Sequence, residues 1–509
     1  MVWTMAEILL STLNARYIHP ALGLRYLQAN LGALRPRAAL REFTLEHRPA
    51  DVAEALLSEQ PRIIALGVYV WNAAPLTHLV KLLKAIAPEV IIVLGGPEVS
   101  HELEAQPLAK LADVVITGEG EHAFREVCQS LLAGDSPPPP RVVPAPPPDL
   151  ATVATPYALY DDEDIAHRTL YVETSRGCPH ACAFCLSALD HKVRRFPQDP
   201  LLASLRVLLD RGATHLKFVD RSLHLGHAEA VLRLLLEPRD RPVMAHFELV
   251  PDRLPDRLRS LLARFAPGTL QLEAGVQTFN PAVAALIGRT QDAARVEETL
   301  AFLATTAAHV HADLVAGLPG ETTDAFAAGF DRLVQLGPQE IQVGILKRLR
   351  GAPINALVDE YALVFDPEPP YEILQTSTMD FRALKRLKRF SQAWDRVVNS
   401  GHFRESARLL WHHGSPFAGF AGFTDWLHVQ AGRTHSIALK RLADFLFTYL
   451  TVESQLAPDL VGPILLADYR RGGHRDRPKS LQHFREPTPE TAPETTAPLP
   501  RQQRHLPRA

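Results

Sequence analysis

Cysteine is scarce in this sequence: four occur among 509 residues, at positions 128, 178, 182 and 185. So few cysteines exclude a fold held together by disulfide bonds, because such scaffolds are dense in cysteine. Three of the four nevertheless fall within the eight residues 178–185. A tight group of cysteines in a reducing compartment indicates metal ligation rather than structural pairing.

Long hydrophobic runs and an excess of one charge are also lacking. No stretch approaches the ~18 consecutive apolar residues of a membrane-spanning helix, and no basic segment precedes the apolar run that ends at Leu10. Lysine and arginine total 54 against 57 aspartate and glutamate, which gives a formal charge of −3. We therefore expect a cytoplasmic protein with no membrane partner and no strong nucleic-acid signal.

Strand and helix patterns alternate over residues 1–135. β-rich runs lie at 7–13, 38–45, 63–70, 89–95 and 113–117, and helical patterns lie between them. This alternation predicts a parallel sheet covered on both faces, in a doubly wound, Rossmann-like α/β domain. Its last helical pattern, 122–133, contains Cys128 among apolar residues, which favours a buried structural thiol.

Prolines mark the end of this domain. Residues 136–149 hold eight prolines, a density that excludes a helix or a central strand. We predict a stiff, proline-rich linker over residues 136–165.

A second series of strands follows the linker. Six candidates lie at 170–176, 215–220, 245–250, 269–276, 309–317 and 340–346, with helical patterns between them. They predict a partial (β/α)6 TIM-like barrel over 166–355, followed by a mainly helical region over 356–470. Within that region we interpret FAGFAGF at 417–423, after His412 and His413, as a helix-breaking loop. The polar tail 471–509 has no apolar period and is predicted to be disordered.

The cysteines form a C-x3-C-x2-C motif after the first strand of the second series, at the end where parallel barrels place their chemistry. Zinc is one alternative, but three thiolates close a tetrahedral zinc site only with a fourth ligand such as His180 or His191. Three thiolates can instead hold three irons of a [4Fe-4S] cluster and leave the fourth iron open to a substrate group. Gly177 allows the backbone to approach a cluster closely.

With the aromatic Phe184 directly before the third cysteine, this motif resembles that of the radical S-adenosylmethionine (SAM) superfamily. The resemblance implies that Cys178, Cys182 and Cys185 ligate a [4Fe-4S] cluster, whose open iron binds SAM and whose electron releases a 5′-deoxyadenosyl radical. It also implies further SAM contacts, namely Phe184 and Gly317 at the adenine, Asp220 at the amino group, Glu273 at the ribose and Arg289 at the carboxylate. A salt bridge or cap on the barrel rim is the alternative role for each of these barrel residues.

A doubly wound domain directly before such a barrel resembles the cobalamin-binding subclass of this superfamily, in the branch whose C-terminal domain has no assigned function. The matching loops are GGPEVS at 95–100 and TGEGE at 117–121, and the resemblance covers about 1–350. The cobalamin contacts it implies are Tyr69, Trp71, Gly95, Gly96, Pro97, Glu98, Gly118, Glu119 and Gly120. The D-x-H-x-x-G motif is missing around His19, so we expect base-off cobalamin without a histidine on its lower face.

The resemblance implies an enzyme, a cobalamin-dependent radical methyltransferase that acts on an unactivated carbon of a small-molecule or peptide substrate. It also implies a reductant such as flavodoxin or ferredoxin. The alternatives are a radical cyclisation or rearrangement with cobalamin, and a non-enzymatic cluster or cobalamin sensor. Methylthio transfer is disfavoured, because only Cys128 is available for a second cluster in the first domain. The sequence assigns no catalytic residue beyond the cofactor contacts.

Overall fold

The computed structural model describes residues 6–412, 414–433, 436–485 and 501–505. The chain divides into two compact units. The first comprises Met1–Phe247, Lys347–Ala356 and Asp366–Glu372, and the second comprises Glu248–Leu346, Leu357–Phe365 and Ile373–Ala509. The predicted linker therefore lies inside the first unit. Within the described ranges, no helix is both long and apolar enough to cross a membrane.

The first unit opens with a parallel sheet of six strands in the order β2-β1-β3-β4-β5-β6. The strands are β1 (Ile8–Asn14), β2 (Ala38–Thr44), β3 (Ile63–Gly67), β4 (Ile91–Gly95), β5 (Val114–Gly118) and β6 (Val142–Ala145). The helices between them are α1 (Leu22–Ala29), α2 (Pro49–Leu57), α3 (Ala73–Ile86), α4 (Pro107–Leu111) and α5 (Glu121–Ala133). The predicted doubly wound architecture is confirmed.

Two apolar cores cover the two faces of this sheet, because side chains alternate along each strand. Leu9 and Leu13 of β1 belong to the core that α2, α3 and α4 complete. Ile8 and Leu10 belong to the opposite core, which α1 and α5 complete. Cys128 lies fully buried in that second core, as predicted, and burial raises the pKa of its thiol to about 12.

The sixth strand, β6, comes from the proline-rich segment. It pairs with β5, and the amide of Val115 donates to Arg141 O at 2.7 Å. Pro144 is tolerated because β6 is an edge strand, where a missing amide breaks no ladder between two neighbours. The segment that we predicted to be linker alone is therefore partly built into the sheet.

The second strand series has the six predicted parallel strands and one additional hairpin. Its strands are β7 (Leu170–Val172), β8 (Ser175–Arg176), β9 (Arg194–Arg195), β10 (His215–Phe218), β11 (Met244–Leu249), β12 (Leu270–Gln277), β13 (His309–Ala316) and β14 (Glu340–Ile345). In the first unit β10 pairs in parallel with β7 and β11, and β8 and β9 form an antiparallel hairpin. In the second unit β13 pairs in parallel with β12 and β14.

Helices accompany this series, and all but the first, which begins in the predicted linker, lie between the strands as predicted. They are α6 (Asp162–His167), α7 (Gln198–Asp210), α8 (Ala228–Leu235), α9 (Asp256–Leu262), α10 (Pro281–Leu286), α11 (Ala293–Ala304) and α12 (Thr323–Leu336). Between β12 and β13, the apolar pattern over 281–307 predicts one helix, but the structure has two, α10 and α11. Gly288, with a φ of +68°, ends the first, and the side chain of Asp292 caps the second.

The C-terminal region is mainly helical, as predicted. A short hairpin of β15 (Val364–Phe365) and β16 (Ile373–Gln375) precedes α13 (Phe381–Trp394), α14 (Pro416–Ala431), α15 (Leu439–Thr448) and α16 (Pro458–Arg471). Helices α13 and α15 each continue into a π-helical turn, at Asp395–Asn399 and Tyr449–Glu453.

The interpretation of FAGFAGF as a helix-breaking loop is wrong, because these residues lie inside α14. Ser415 caps the helix by accepting from the amide of Ala418 at 3.0 Å, and Pro416 occupies its first turn. The glycines serve packing: a Cβ at Gly419 would lie 2.3 Å from Leu410 O. His412 lies before the start of α14, and His413 lies outside the described residues.

Parts of the tail that we predicted to be disordered make defined contacts. Ser480 donates its amide to Asp444 at 2.8 Å, and Tyr469 donates its hydroxyl to Asp476 at 2.8 Å. Arg501 binds Glu340, at the start of β14, through two nitrogens at 3.0 and 2.6 Å. His505 is buried with its Nε2 2.9 Å from Asn399 O. Residues 486–500 and 506–509 lie outside the described part of the chain.

A buried cluster of four charges joins the N-terminal sheet to the segment that enters β7. Arg25 Nη2 lies 2.8 Å from Glu42 and 2.6 Å from Asp164, and Arg168 Nη1 lies 2.8 Å and 2.9 Å from the same two carboxylates. All four side chains are at most 10% exposed. Two arginines and two carboxylates balance in charge, so each group is neutralised only while the cluster is complete.

Glu42→Gln removes one charge from this cluster and leaves two buried arginines with one carboxylate. We expect a loss of about 3–5 kcal/mol, the usual cost of breaking a buried ion pair on one side. Denaturant unfolding followed by circular dichroism measures it. Glu46→Gln, at an exposed position on the adjoining turn, should change stability little. Equal stability of the two variants would contradict this assignment.

The contacts of residues 501–505 predict a pH-dependent stability. Burial lowers the pKa of His505 to about 4, and the pKa of Glu340 is held at about 2 by His309 and Arg501 against the opposing effect of burial. Both groups bind fewer protons in the folded protein than in the unfolded chain. Their contacts therefore contribute their full stability to the folded protein above about pH 6.5, and this contribution falls as the pH falls. Between pH 6.5 and 4 the melting temperature of the wild type should fall more steeply than that of His505→Gln, which keeps a donor but does not titrate. Parallel curves would contradict the prediction.

Candidate functional site

The cysteine motif lies in the loop between β8 and β9, and the hairpin closes the base of this loop. The amide of Cys178 donates to Asp190 O at 2.9 Å across the base. Gly177 has a φ of +86°, and a Cβ there would lie 2.3 Å from Lys192 O. Only glycine fits the turn that leads into the first cysteine.

No disulfide joins the three cysteines of the motif, and their side chains differ in exposure. Cys178 and Cys182 are buried, at 8% and 7% exposed, whereas Cys185 is partly exposed. The amide of Cys185 donates to Cys182 O at 3.0 Å, which folds the second half of the motif into a turn. Burial raises the pKa of the Cys178 thiol, so a bound cation is needed to hold it as a thiolate.

The loop shape bears on the zinc alternative. Among the described residues, no three histidine, cysteine, aspartate or glutamate side chains are grouped to hold one metal ion. A mononuclear zinc site needs all ligands about 2.0–2.3 Å from one ion, whereas a cluster spreads its thiolates over several irons. The arrangement of His180 and His191 therefore gives the zinc alternative no support.

Asp220 lies two residues beyond β10 and is hydrogen-bonded within the first unit. Its carboxylate accepts from the hydroxyl of Thr174 at 2.7 Å, from the Thr174 amide and from the hydroxyl of Ser175. Burial raises its pKa, while these hydrogen bonds oppose the rise. Asp220 thus fixes the chain just before the cysteine loop. Its assignment to the SAM amino group stays a prediction.

Phe184 occupies the predicted place within the loop and is partly exposed. Its neighbour Ala183 accepts, at its carbonyl, the amide of Ile354 at 2.7 Å. This hydrogen bond fixes the backbone that presents Phe184.

The other predicted SAM contacts belong to the second unit. Glu273 lies in the middle of β12. Arg289 donates to Gly275 O and to Gln291 at 3.0 Å. Gly317 follows β13 with a φ of +87°, and a Cβ there would lie 2.6 Å from Ile373. Packing thus accounts for this glycine, and the SAM roles of all three residues stay predictions.

A cavity of about 490 Å³ lies at the carboxyl ends of β3, β4 and β5, within the first unit, and its size is typical of cofactor and ligand sites. Seven of the predicted cobalamin contacts line it: Tyr69, Gly95, Gly96, Pro97, Gly118, Glu119 and Gly120. Its opposite wall comes from the cysteine-loop hairpin and from the residues around β10. These residues are Glu173, Ser175, Arg176, Gly177, Leu186, Ser187, Asp190, Val219 and Arg221.

Two predicted cobalamin contacts are not among the residues that line this cavity. Trp71 is 45% exposed and stacks on Tyr69 with ring centroids 4.5 Å apart. Glu98 is buried, where it accepts from the Tyr371 hydroxyl at 2.8 Å and from Arg350 at 3.0 Å. The geometry gives Glu98 a structural role in the first unit.

Two of the cavity glycines are required by the backbone itself. Gly96 and Gly118 have φ of +109° and +84°. A Cβ would lie 2.5 Å from Val68 O at Gly96 and 2.2 Å from Ala145 O at Gly118. Gly95 differs, because a Cβ there meets only Ile116 O at 3.7 Å. Gly95 is therefore the position where a side chain can be added without strain.

His19 is held away from this cavity. Its Nδ1 lies 2.9 Å from the Tyr171 hydroxyl, and the residue is not among those that line the cavity. Burial lowers the pKa of its imidazole. That His19 is not a cobalt ligand stays a prediction.

Arg176 is a charged residue of the cavity wall that the sequence motifs do not indicate. It is the last residue of β8 and forms ion pairs with Glu119 at 2.7 Å, Glu121 at 2.7 Å and Glu173 at 2.8 Å. Arg194 also binds Glu119. These pairs join the TGEGE loop to the cysteine-loop hairpin. The available signal was an arginine directly before Gly177 and Cys178, together with two glutamates in a glycine loop.

Comparison with known families assigns all three regions. Residues 9–128 match the B12 binding domain, residues 172–333 match the radical SAM superfamily, and residues 359–507 match a protein family of unknown function (DUF4080). The chain is a radical SAM protein with a B12-binding domain. These two domains assign its cofactors: cobalamin to the first, and a [4Fe-4S] cluster with SAM to the second.

Curated relatives of this radical SAM protein include methyltransferases. It is 26% identical over 445 residues to the cobalamin-dependent radical SAM methyltransferase TokK of Streptomyces tokunonensis, covering 77% of this chain and 62% of TokK. It is 27% identical to the 2-(S-pantetheinyl)-carbapenam-3-carboxylate methyltransferase of Streptantibioticus cattleyicolor, covering 58% of this chain and 48% of that protein. The chain thus spans about half to three-fifths of the length of these relatives.

A solved structure shows the same fold. The cobalamin-dependent SAM radical enzyme OxsB with aqua-cobalamin bound aligns with 91% of this chain and 78% of its own, at a TM-score of 0.60 and 14% sequence identity. The predicted fold class is confirmed by this likeness and by the two parallel strand series.

Cys182→Ala should abolish the iron–sulfur cluster, because two thiolates leave two of its irons without a protein ligand. After anaerobic reconstitution, the wild type should contain about four iron and four sulfide ions per chain, and the variant should contain only traces of either. Cys128→Ala, on the buried face of α5, is the matched control and should keep its iron. Stoichiometric zinc without iron in the wild type would overturn the assignment.

Proposed function

We propose that this radical SAM protein is a cobalamin-dependent methyltransferase that acts on an unactivated carbon of a small-molecule or peptide substrate. One observation carries the proposal: a single cavity is lined on one side by the B12-domain loops and on the other by residues next to the cluster cysteines. Gly177 directly precedes Cys178, and Leu186 directly follows Cys185. A group in this cavity can therefore be reached from both cofactor sites.

The chain's own residues prepare this cavity. When bound, the cluster and SAM supply a hydrogen-abstracting radical, and cobalamin supplies a methyl group. Cys178, Cys182 and Cys185 would hold the cluster in the loop between β8 and β9. Leu22, Leu27 and Ile116 supply apolar wall, which excludes water from a reactive intermediate.

The charges of the cavity wall are paired. Glu119, Glu121, Glu173 and Asp190 line the cavity together with Arg176 and Arg221. Arg176 binds the first three carboxylates, and Arg194 binds Glu119 and Asp190. Burial raises the pKa of Glu173 despite its pairing with Arg176. The wall is therefore polar but close to balanced in charge, which suits a ligand with both donors and acceptors.

Methyl transfer is favoured over the alternatives by the named relatives. Both TokK and the carbapenam enzyme are methyltransferases by name, and TokK shares most of the length of this chain. Radical cyclisation or rearrangement would use the same cavity and cofactors. A reductant such as flavodoxin or ferredoxin would supply the electron for SAM cleavage.

Product analysis tests the proposal. The reconstituted protein is incubated anaerobically with cobalamin, a chemical reductant, deuteromethyl-labelled SAM and a metabolite extract from a host that lacks the gene. We expect 5′-deoxyadenosine, S-adenosylhomocysteine and a metabolite heavier by one labelled methyl group. 5′-Deoxyadenosine without S-adenosylhomocysteine would indicate cyclisation or rearrangement instead. Neither product would indicate a sensor.

Gly95→Trp and Cys185→Ala should separate the two cofactor sites. The indole at position 95 fills space in the cavity without backbone strain, so cobalamin binding should be lost while iron content and SAM cleavage persist. Cys185→Ala should remove radical formation and spare cobalamin binding. For both variants, absorbance spectra measure cobalamin binding, iron analysis measures the cluster, and the yield of 5′-deoxyadenosine measures SAM cleavage. Loss of the cluster in folded Gly95→Trp would contradict independent sites.

A further inference from the structure

A second cavity, of about 180 Å³, lies among α12, α13 and α14 in the second unit. Its interior is apolar and is formed by Leu387 and Phe390 of α13 and by Phe417 and Ala421 of α14, each at most 7% exposed. The ring centroids of Phe390 and Phe417 lie 4.9 Å apart. None of the residues predicted to contact a cofactor lines this cavity.

An ion pair lies at the opening of the cavity. Arg386 of α13 and Asp425 of α14 both line it, and their side chains are 45% and 40% exposed. Because the apolar lining residues are buried, the charged pair lies on the solvent side of the cavity. Arg386 Nε donates to Asp425 Oδ2 at 2.7 Å, which fixes one edge of the guanidinium.

Both members of this pair keep atoms that can bind a ligand. Among the described residues, Nη1 and Nη2 of Arg386 and Oδ1 of Asp425 make no hydrogen bond. The two terminal nitrogens of a guanidinium form a planar fork that matches a carboxylate. A carboxylate oxygen accepts from an ammonium group. The opening therefore presents an anion-binding group and a cation-binding group side by side.

The interior limits the size and the polarity of the group that can enter. An apolar cavity of about 150 Å³ stays free of water and takes up one benzene-sized molecule. At about 180 Å³, this cavity matches a phenyl ring or a branched aliphatic chain. Thr424 is a buried polar residue of the wall, but its hydroxyl already donates to Phe420 O at 2.9 Å. The polar contacts of a ligand are therefore expected at the opening.

We propose that this cavity binds a free apolar α-amino acid of the size of leucine or phenylalanine. The side chain of the amino acid occupies the interior, its carboxylate accepts from the fork of Arg386, and its ammonium group donates to Asp425 Oδ1. The ligand uses only the free atoms of the ion pair, so the pair stays intact and the charges are complementary. This inference is independent of the proposed methyl transfer, because it involves neither cofactor domain.

Isothermal titration calorimetry of the reconstituted full-length protein tests the site, with phenylalanine as the probe. We expect saturable binding at one site per chain, and a melting temperature that rises with the phenylalanine concentration. Leucine should bind with a similar affinity. Alanine leaves the interior unfilled and tryptophan is too large for it, so both should bind at least about tenfold more weakly.

Two analogues and two variants test the charged pair. 3-Phenylpropionate lacks the ammonium group and 2-phenylethylamine lacks the carboxylate, so each should bind at least about tenfold more weakly than phenylalanine. Arg386→Gln should weaken the binding of phenylalanine by about tenfold, but not that of 2-phenylethylamine. Asp425→Asn should likewise weaken phenylalanine, but not 3-phenylpropionate. Arg382→Gln, exposed on the same helix and outside the cavity, is the matched control.

Three results would reject this site. The first is no saturable binding of phenylalanine or leucine to the folded wild type. The second is equal affinity for 3-phenylpropionate and phenylalanine, because the ammonium group would then have no role. The third is unchanged phenylalanine affinity in Arg386→Gln, which would place the ligand elsewhere on the protein. Thermal unfolding of each variant without ligand distinguishes a loss of binding from a loss of fold.

Discussion

The guanidinium of Arg176 is shared among three carboxylates that come from two different regions of the chain. Glu119 and Glu121 belong to the loop and helix after β5, and Glu173 belongs to the end of β7. Because Arg176 is also the residue before Gly177, it places the start of the cysteine loop against the TGEGE loop. The geometry of both cofactor sites therefore depends on one buried arginine whose charge must be balanced to be tolerated.

Backbone constraints act at the same place. Gly96, Gly118 and Gly177 each turn with positive φ where another backbone carbonyl lies too close for a Cβ. The four-charge cluster around Glu42 fixes the segment that leads into β7 from behind. The cavity between the loops is thus shaped by the contacts that surround it.

The elements that could be predicted from sequence are those with a strong local signal. Buried parallel strands read as short apolar runs, and the C-x3-C-x2-C motif has a spacing that chance rarely gives. The failures have a common cause, which is tertiary packing. Gly419 and Gly422 are typical of helix breakers, but a Cβ would lie too close to the Leu410 carbonyl at the first and to the Tyr449 hydroxyl at the second. The roles of Arg176 and Glu98 could not be predicted, because their partners are distant in sequence.

The edge strand β6 has a consequence for the modularity of this protein. Gly118 turns against the carbonyl of Ala145, so the TGEGE loop is shaped by a strand that follows the doubly wound domain in sequence. In a chimera, this domain could be cut before residue 141 and joined to a different barrel. Such a protein would keep the glycine loops but lose β6, whose Ala145 carbonyl packs against Gly118. A transferable N-terminal domain therefore has to include the proline-rich segment through β6. The pairing of β5 with β6, and not a change in composition, sets the boundary of this domain.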